Sequence, residues 1–193
     1  MKDRYTTTLG ITSKDNNEVR EENDFYATEP KALEELLKHI TFNNNVWECS
    51  CGQGHLSEVL KNNGYNVKST DLIDRGYGIG GVDFLKQTEV FNGDIVTNPP
   101  FKLLNKFIEK GMELLTDGNK MALFVKIQVL ESKSRKLLFE KLPPKLVYVS
   151  SSRLRCARNG EFDKYSANYK VMTFCWIIFE KGYKGDSILK WFN

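Results

Sequence analysis

The stretch "DIVTNPPF", Asp94 to Phe101, runs three strand-forming residues into an amide, two prolines and a ring. Ile95, Val96 and Thr97 favour an extended, buried conformation. Neither Pro99 nor Pro100 has an N–H to donate, so a strand ladder must stop there. Pro99 also disfavours helical backbone at Asn98. The spacing predicts a stiff turn at the carboxyl end of a strand, with the Asn98 amide and the Phe101 ring held out of it. Ligands of open α/β sheets bind at such strand ends, so these residues are candidates for gripping a flat, hydrogen-bonding group.

A second cluster precedes it. "WECSCGQGHLS" places Glu48, Gly52 and Gly54 on a strand-to-helix turn, where glycines let the backbone approach a ligand and the next helix offers free N–H groups. This is neither the full Gly-x-Gly-x-x-Gly pattern, since Ser57 stands in the third glycine's place, nor a P-loop, since no Gly-Lys-Ser/Thr follows. The next strand ends in "STDL", seventeen residues after Gly54 at Asp71. A carboxylate there can accept both ribose hydroxyls of an adenosine. "GGVDFL" adds Asp83 and Phe84, an acceptor beside a ring, suited to the exocyclic amine and face of an adenine. Cys49, Cys51 and His55 invite a metal reading, but Cys-x-Cys without a second pair does not match common zinc spacings. No metal is expected.

The elements that must position these residues alternate along the chain. "TEPKALEELLKHI" reads as a helix with Thr28 as N-cap, Pro30 early, and Leu33, Leu36, Leu37 and Ile40 on one face. "NVWECS", "YNVKSTDL", "GDIVTNPP" and "NKMALFVKI" read as strands, with helices over "LSEVLKNNG", "KLLNKFIEKGMELL" and "SKSRKLLFEKL". "KLVYVSSSRLR" and "KVMTFCWIIFEKG" follow as strands that pair antiparallel through the polar stretch "CARNGEFDKYSANY". The pattern predicts an α/β, Rossmann-like fold: a mostly parallel seven-stranded sheet whose last strand is antiparallel, with helices on both faces. Residues 1–24 show no apolar period and read as an arm, leaving 25–193 as a single domain.

In this order "YATEP", "ECSCGQG", "STDL", "VDFL" and "NPPF" resemble the motifs of class I S-adenosylmethionine-dependent DNA methyltransferases acting on adenine N6. In size and arrangement they are most similar to the small single-domain members of bacteriophages and prophages. The resemblance spans roughly residues 24–190, with "NPPF" its most specific element. It implies S-adenosylmethionine as cofactor. Tyr26, Thr28 and Pro30 would border its methionine end, Glu48 through Gly54 (including Ser50 and Gly52) would wrap it, Asp71 with Leu72 would hold the ribose, and Asp83 with Phe84 the adenine. Asn98, also beside the cofactor, would grip the target base with Pro99, Pro100 and Phe101. Two departures stand out: Glu29 separates Thr28 from Pro30, and Cys49 follows Glu48 where Pro is frequent.

The chemistry suits the motif. An adenine N6 amine is a weak nucleophile, and two acceptors, the Asn98 side-chain oxygen and the Pro99 carbonyl, can draw its nitrogen toward a tetrahedral shape while Phe101 stacks on the base. A base inside duplex DNA must first be flipped out. The same Asn-Pro-Pro-aromatic turn serves RNA bases and the glutamine amide of proteins, and a silent S-adenosylmethionine- or DNA-binding protein is a further alternative.

Composition sets the rest. Hydrophobic residues make up 40% and charged residues 27% of 193 positions, with a net charge of +3. That charge is uneven: residues 126–170 hold eleven Lys/Arg against four Asp/Glu, a local +7, while residues 1–24 hold four against six, a local −2. The basic segment reads either as a polyanion-binding face or as a solvated surface. Lys126, Lys133, Arg135, Arg153, Arg155, Arg158 and Tyr165 are the candidates for touching nucleic acid. The chain leaves no room for a separate recognition domain, so specificity would come from the arm, the 153–170 segment, or a partner protein or dimer. The longest apolar run, "VMTFCWIIF", is too short to span a bilayer. Four irregularly spaced cysteines and no apolar leader point to a cytoplasmic setting in a bacterial or phage-infected cell.

Overall fold

Two apolar layers on opposite faces of one sheet account for most of the buried side chains in a computed structural model that describes residues 26–152, 154, 156–158 (backbone only) and 173–193. The strands are β1 (Tyr26–Thr28), β2 (Asn45–Glu48), β3 (Asn66–Ser69), β4 (Asp94–Thr97), β5 (Lys120–Lys126), β6 (Leu146–Ser150), β7 (Cys156–Arg158), β8 (Phe174–Glu180) and β9 (Ile188–Phe192). The helices are α1 (Pro30–Leu37), α2 (His55–Asn62), α3 (Leu104–Leu114) and α4 (Lys133–Lys141). Among the described residues, seven strands form the main sheet in the order β3-β2-β4-β5-β8-β6-β9. All its pairings are parallel except those of β8, which runs antiparallel to β5 and β6.

The central strands show why both faces are covered. In β5, Met121, Leu123 and Val125 join one layer and Ala122 and Phe124 the other. In β8, Cys175, Ile177 and Phe179 alternate with Phe174, Trp176 and Ile178 in the same way. Alternating side chains that are all apolar can be buried only if both faces are roofed. α3, with Phe107, Ile108 and Met112, roofs one face; α1 and α2, through Leu33, Leu36, Leu56 and Leu60, roof the other. Trp176 fastens α1 to the sheet by donating from Nε1 to the Ala32 carbonyl at 2.9 Å.

Three details differ from the sequence reading. The reversed strand is the one expected, β8, but it is not the last: β9 follows and pairs parallel to β6 at the sheet edge. Its first four residues are exposed, so it lacks the apolar period that marks buried strands. Thr28 does not cap α1. It ends β1, and Glu29 takes the N-cap position with no side-chain bond while Pro30 opens the helix. β1 and β7 form a separate antiparallel pair, Tyr26 opposite Arg158 and Thr28 opposite Cys156, where the sequence suggested a helix start and a polar connection. The expected arm, residues 1–24, lies outside the described residues, among which no helix is long and apolar enough to cross a membrane.

Asp94 anchors the start of β4. It is fully buried and its carboxylate accepts from the main-chain N–H groups of Asn43 at 2.7 Å and Lys120 at 2.6 Å. Asp94→Ala orphans both donors, and a buried unsatisfied donor costs about 1–3 kcal/mol. Urea unfolding is expected to show Asp94→Ala destabilised by about 3 kcal/mol, with an unchanged denaturant slope.

Candidate active site

The carboxyl ends of β2, β3 and β4 meet at one cavity of about 340 Å3, with β1 along its side. That volume falls in the range of roughly 300–1,000 Å3 typical of small-molecule sites. Its walls include Tyr26, Thr28, Glu48, Ser50, Gly52, Asp71, Leu72, Asp83, Phe84, Asn98, Pro99, Pro100 and Phe101, which the sequence marked, His55, which it weighed only as a metal ligand, and Arg75 and Phe107, which it did not mark. Two marked residues stand outside the walls. Pro30 is occupied as the first residue of α1, and Gly54 as the residue before α2.

Gly54 shapes the loop from behind. Its φ is +84°, a left-handed conformation that glycine adopts without steric cost. A Cβ there would stand 2.5 Å from Cδ2 of Tyr77, whose hydroxyl donates to Glu58 at 2.5 Å and accepts from Lys61 at 2.7 Å. Gly54→Ala is expected to cost about 1–2 kcal/mol for the backbone conformation alone, plus the displacement of Tyr77. Adding Tyr77→Ala should return the second part and not the first, which chemical denaturation of the single and double variants will separate.

The Asp71 carboxylate is held firmly. Oδ2 accepts from Gly52 N at 2.8 Å and Oδ1 from Ile73 N at 2.9 Å. Each carboxylate oxygen has a second lone-pair site, so the group keeps acceptor capacity toward the cavity. Asp83 caps the short 3-10 turn Phe84–Lys86 by accepting from Leu85 N at 3.0 Å. Phe84 is 2% exposed and packs edge-on to Trp47 with centroids 5.3 Å apart, and against Phe107 at 4.9 Å. It is a core ring that also lines the cavity wall.

Glu48 is buried at the floor. Ser57 donates to its Oε2, and Ser57 and Ser69 share a hydrogen bond of 2.6 Å between their hydroxyls. Burial pushes the Glu48 carboxyl up to about 8, against the pull of the Ser57 bond, with Asp71 adding to the rise. The neighbouring thiols also move up: burial takes Cys51 to about 12 and raises Cys49 strongly. Raised thiols are poor metal ligands, and no group of three metal-binding side chains occurs among the described residues.

Asn98 is held by the chain's other end. Its Nδ2 donates to the Tyr26 carbonyl at 3.1 Å and to Thr28 Oγ1 at 2.9 Å. A main-chain carbonyl only accepts, so the NH2 end must face β1 and the amide oxygen is fixed on the opposite side. Phe101 follows in the 3-10 turn Phe101–Leu103, with Lys126 Nζ 5.3 Å from its ring centroid. Lys133 and Arg135 sit apart on α4, where Arg135 donates to the Glu131 carbonyl at 3.4 Å. Arg153, Arg155 and Tyr165 lie outside the described residues, as does the side chain of Arg158.

The sheet order, the one reversed strand and a ligand-sized cavity at the parallel carboxyl ends define the class I S-adenosylmethionine-dependent methyltransferase fold. No protein-family model and no curated protein matches the sequence. Solved structures do match in shape. A Listeria monocytogenes protein provisionally described as a class I S-adenosylmethionine-dependent methyltransferase superimposes with a TM-score of 0.58 at 14% identity, over 84% of this chain and 62% of its own. A Lactococcus lactis protein provisionally described as a hemolysin has the same score and identity over 83% and 91% of the two chains. A TehB-like S-adenosylmethionine-dependent methyltransferase from Corynebacterium glutamicum scores 0.52 at 15% identity, over 79% and 88%. At such identities the likeness is one of fold.

Proposed function

We propose that this chain transfers a methyl group from S-adenosylmethionine to the N6 amine of adenine in DNA. The observation that carries the reading is the clamp on Asn98, whose amide nitrogen is engaged by Tyr26 and Thr28 at the head of the Asn-Pro-Pro-Phe turn. The residues fit the cofactor: a carboxylate held by two main-chain N–H groups at the end of β3 can take ribose hydroxyls, and a glycine loop with a buried carboxyl beneath it leaves a cavity of the right size. When bound, S-adenosylmethionine supplies an electrophilic sulfonium methyl group.

The chain's own contribution is positioning. The Asn98 oxygen and the Pro99 carbonyl accept the two amine hydrogens and shift the nitrogen lone pair out of conjugation, while the prolines keep the acceptors apart at a fixed distance. Phe101 stacks on the flipped base, and Lys126 beside it adds positive charge where a phosphodiester backbone passes. Lys133 and Arg135 on α4 are further candidates for phosphate contacts.

Labelled methyl groups from S-adenosylmethionine, offered with unmethylated duplex DNA, bulk RNA and a protein extract in parallel, test the proposal. Label recovered from DNA as N6-methyladenine, and lost with Asn98→Ala, is the expected result. Label in RNA or protein alone would move the substrate, and cofactor binding without any label would leave a silent binding protein.

A further inference from the structure

The main sheet ends on β9, and no strand lies beyond it among the described residues. Ile188 N donates to the Lys145 carbonyl, and the Phe192 carbonyl accepts from Ser151 N. The even-numbered residues therefore turn their main-chain groups toward β6. In a parallel pairing the residues between them point the other way, so Ser187, Leu189 and Trp191 present N–H and C=O groups outward. Edge strands are usually blunted by charge, proline or cover. This one leaves Ile188 49%, Leu189 47% and Trp191 66% exposed.

We propose that β9 pairs antiparallel with β9 of a second copy, about a two-fold axis through Ile188. An isologous contact sets each residue against its counterpart reciprocally, and only some registers satisfy this edge. Centred on Ile188, Ser187 lies opposite Leu189 of the second copy, and both turn their main-chain groups into the interface, so the ladder closes. Asp186 then faces Lys190 of the second copy, and Lys190 faces its Asp186, on either side of the Ile188 pair. Neither residue has an ion pair among the described residues.

Neighbouring ladder-compatible registers are worse, and centring on Lys190 sets that lysine against its own counterpart. Centring on Ser187 sets Lys184 against Lys190, and like charges directly opposite destabilise a pair. Centring on Leu189 sets the Asp186 carboxylate against Phe192 and forms no charge pair. The interface lies four strands from β4 in the sheet order, so it leaves the cavity untouched and stands independently of the proposed activity.

Sedimentation equilibrium of the full chain, from low micromolar to hundreds of micromolar, tests this. The expected result is a reversible dimer. Leu189→Pro removes an outward N–H while sparing the β6–β9 bonds, and should leave a folded monomer by circular dichroism. Asp186→Lys and Lys190→Asp should each weaken dimerisation about tenfold, and the double reversal should restore it. A monomer at every concentration overturns the proposal. So does a dimer indifferent to Leu189→Pro, or single reversals that the double does not rescue. Slow hydrogen exchange at Leu189 and Trp191 in a monomer would place a segment of the same chain on the edge and overturn it as well.

Discussion

Asn98→Ala is expected to lower methyl transfer to DNA by about 10²–10³-fold, the scale seen when one preorganised polar contact to the reacting group is removed. Affinity for S-adenosylmethionine, measured by calorimetry, should change little, because the Asp71 and glycine-loop bonds do not involve Asn98. Asn98→Asp is the sharper variant. It keeps size and an acceptor but turns a carboxylate oxygen toward the Tyr26 carbonyl and Thr28 Oγ1, where the native amide donates at 3.1 and 2.9 Å. The Thr28 hydroxyl can turn its proton to the carboxylate, but the Tyr26 carbonyl only accepts and two facing acceptors repel, so the aspartate should swing away and lose as much activity as alanine. Thr28→Val removes one of the two anchors and should fall between, by about tenfold. Near-normal turnover in Asn98→Ala would move the chemistry off this turn.

The turn itself was legible because its signal is local. Two prolines after a β-branched run end a strand wherever they occur, and Asn98 and Phe101 follow in the next residues. The sheet was legible for a similar reason, since β5 and β8 are apolar on both faces and leave no other environment for themselves. What holds the Asn98 amide was not: its partners Tyr26 and Thr28 lie 72 and 70 residues away in sequence. Their strand, three residues paired with three more at Cys156–Arg158, is too short to carry a period. β9 escaped notice because an exposed strand has little hydrophobic pattern to show. How Phe84 packs was not legible either, because an Asp-Phe pair says nothing about the Trp47 and Phe107 rings beside it.

Ser57 shows how a departure from a pattern can be structural. It stands where a dinucleotide site has its third glycine, and its hydroxyl serves the buried Glu48 instead. Burial of Glu48, which outweighs the pull of that bond, predicts a pH dependence. The Glu48 carboxyl titrates near 4.5 when solvated and near 8 in the fold. Below 4.5 the group is protonated in both states and contributes no slope. Between 4.5 and 8 the unfolded chain ionises while the folded one holds its proton, so stability falls as pH rises, by up to about 1.4 kcal/mol per unit. Above 8 both states are ionised and the slope vanishes. Glu48→Gln keeps an acceptor for Ser57 and cannot ionise. Urea unfolding of the cofactor-free protein at pH 5, 6, 7 and 8 should show the wild type losing stability across the series relative to Glu48→Gln, with the variant the more stable at pH 8. Parallel profiles for the two proteins would mean that Glu48 is already ionised in the fold, with its charge balanced by the Ser57 hydroxyl and the loop's N–H groups.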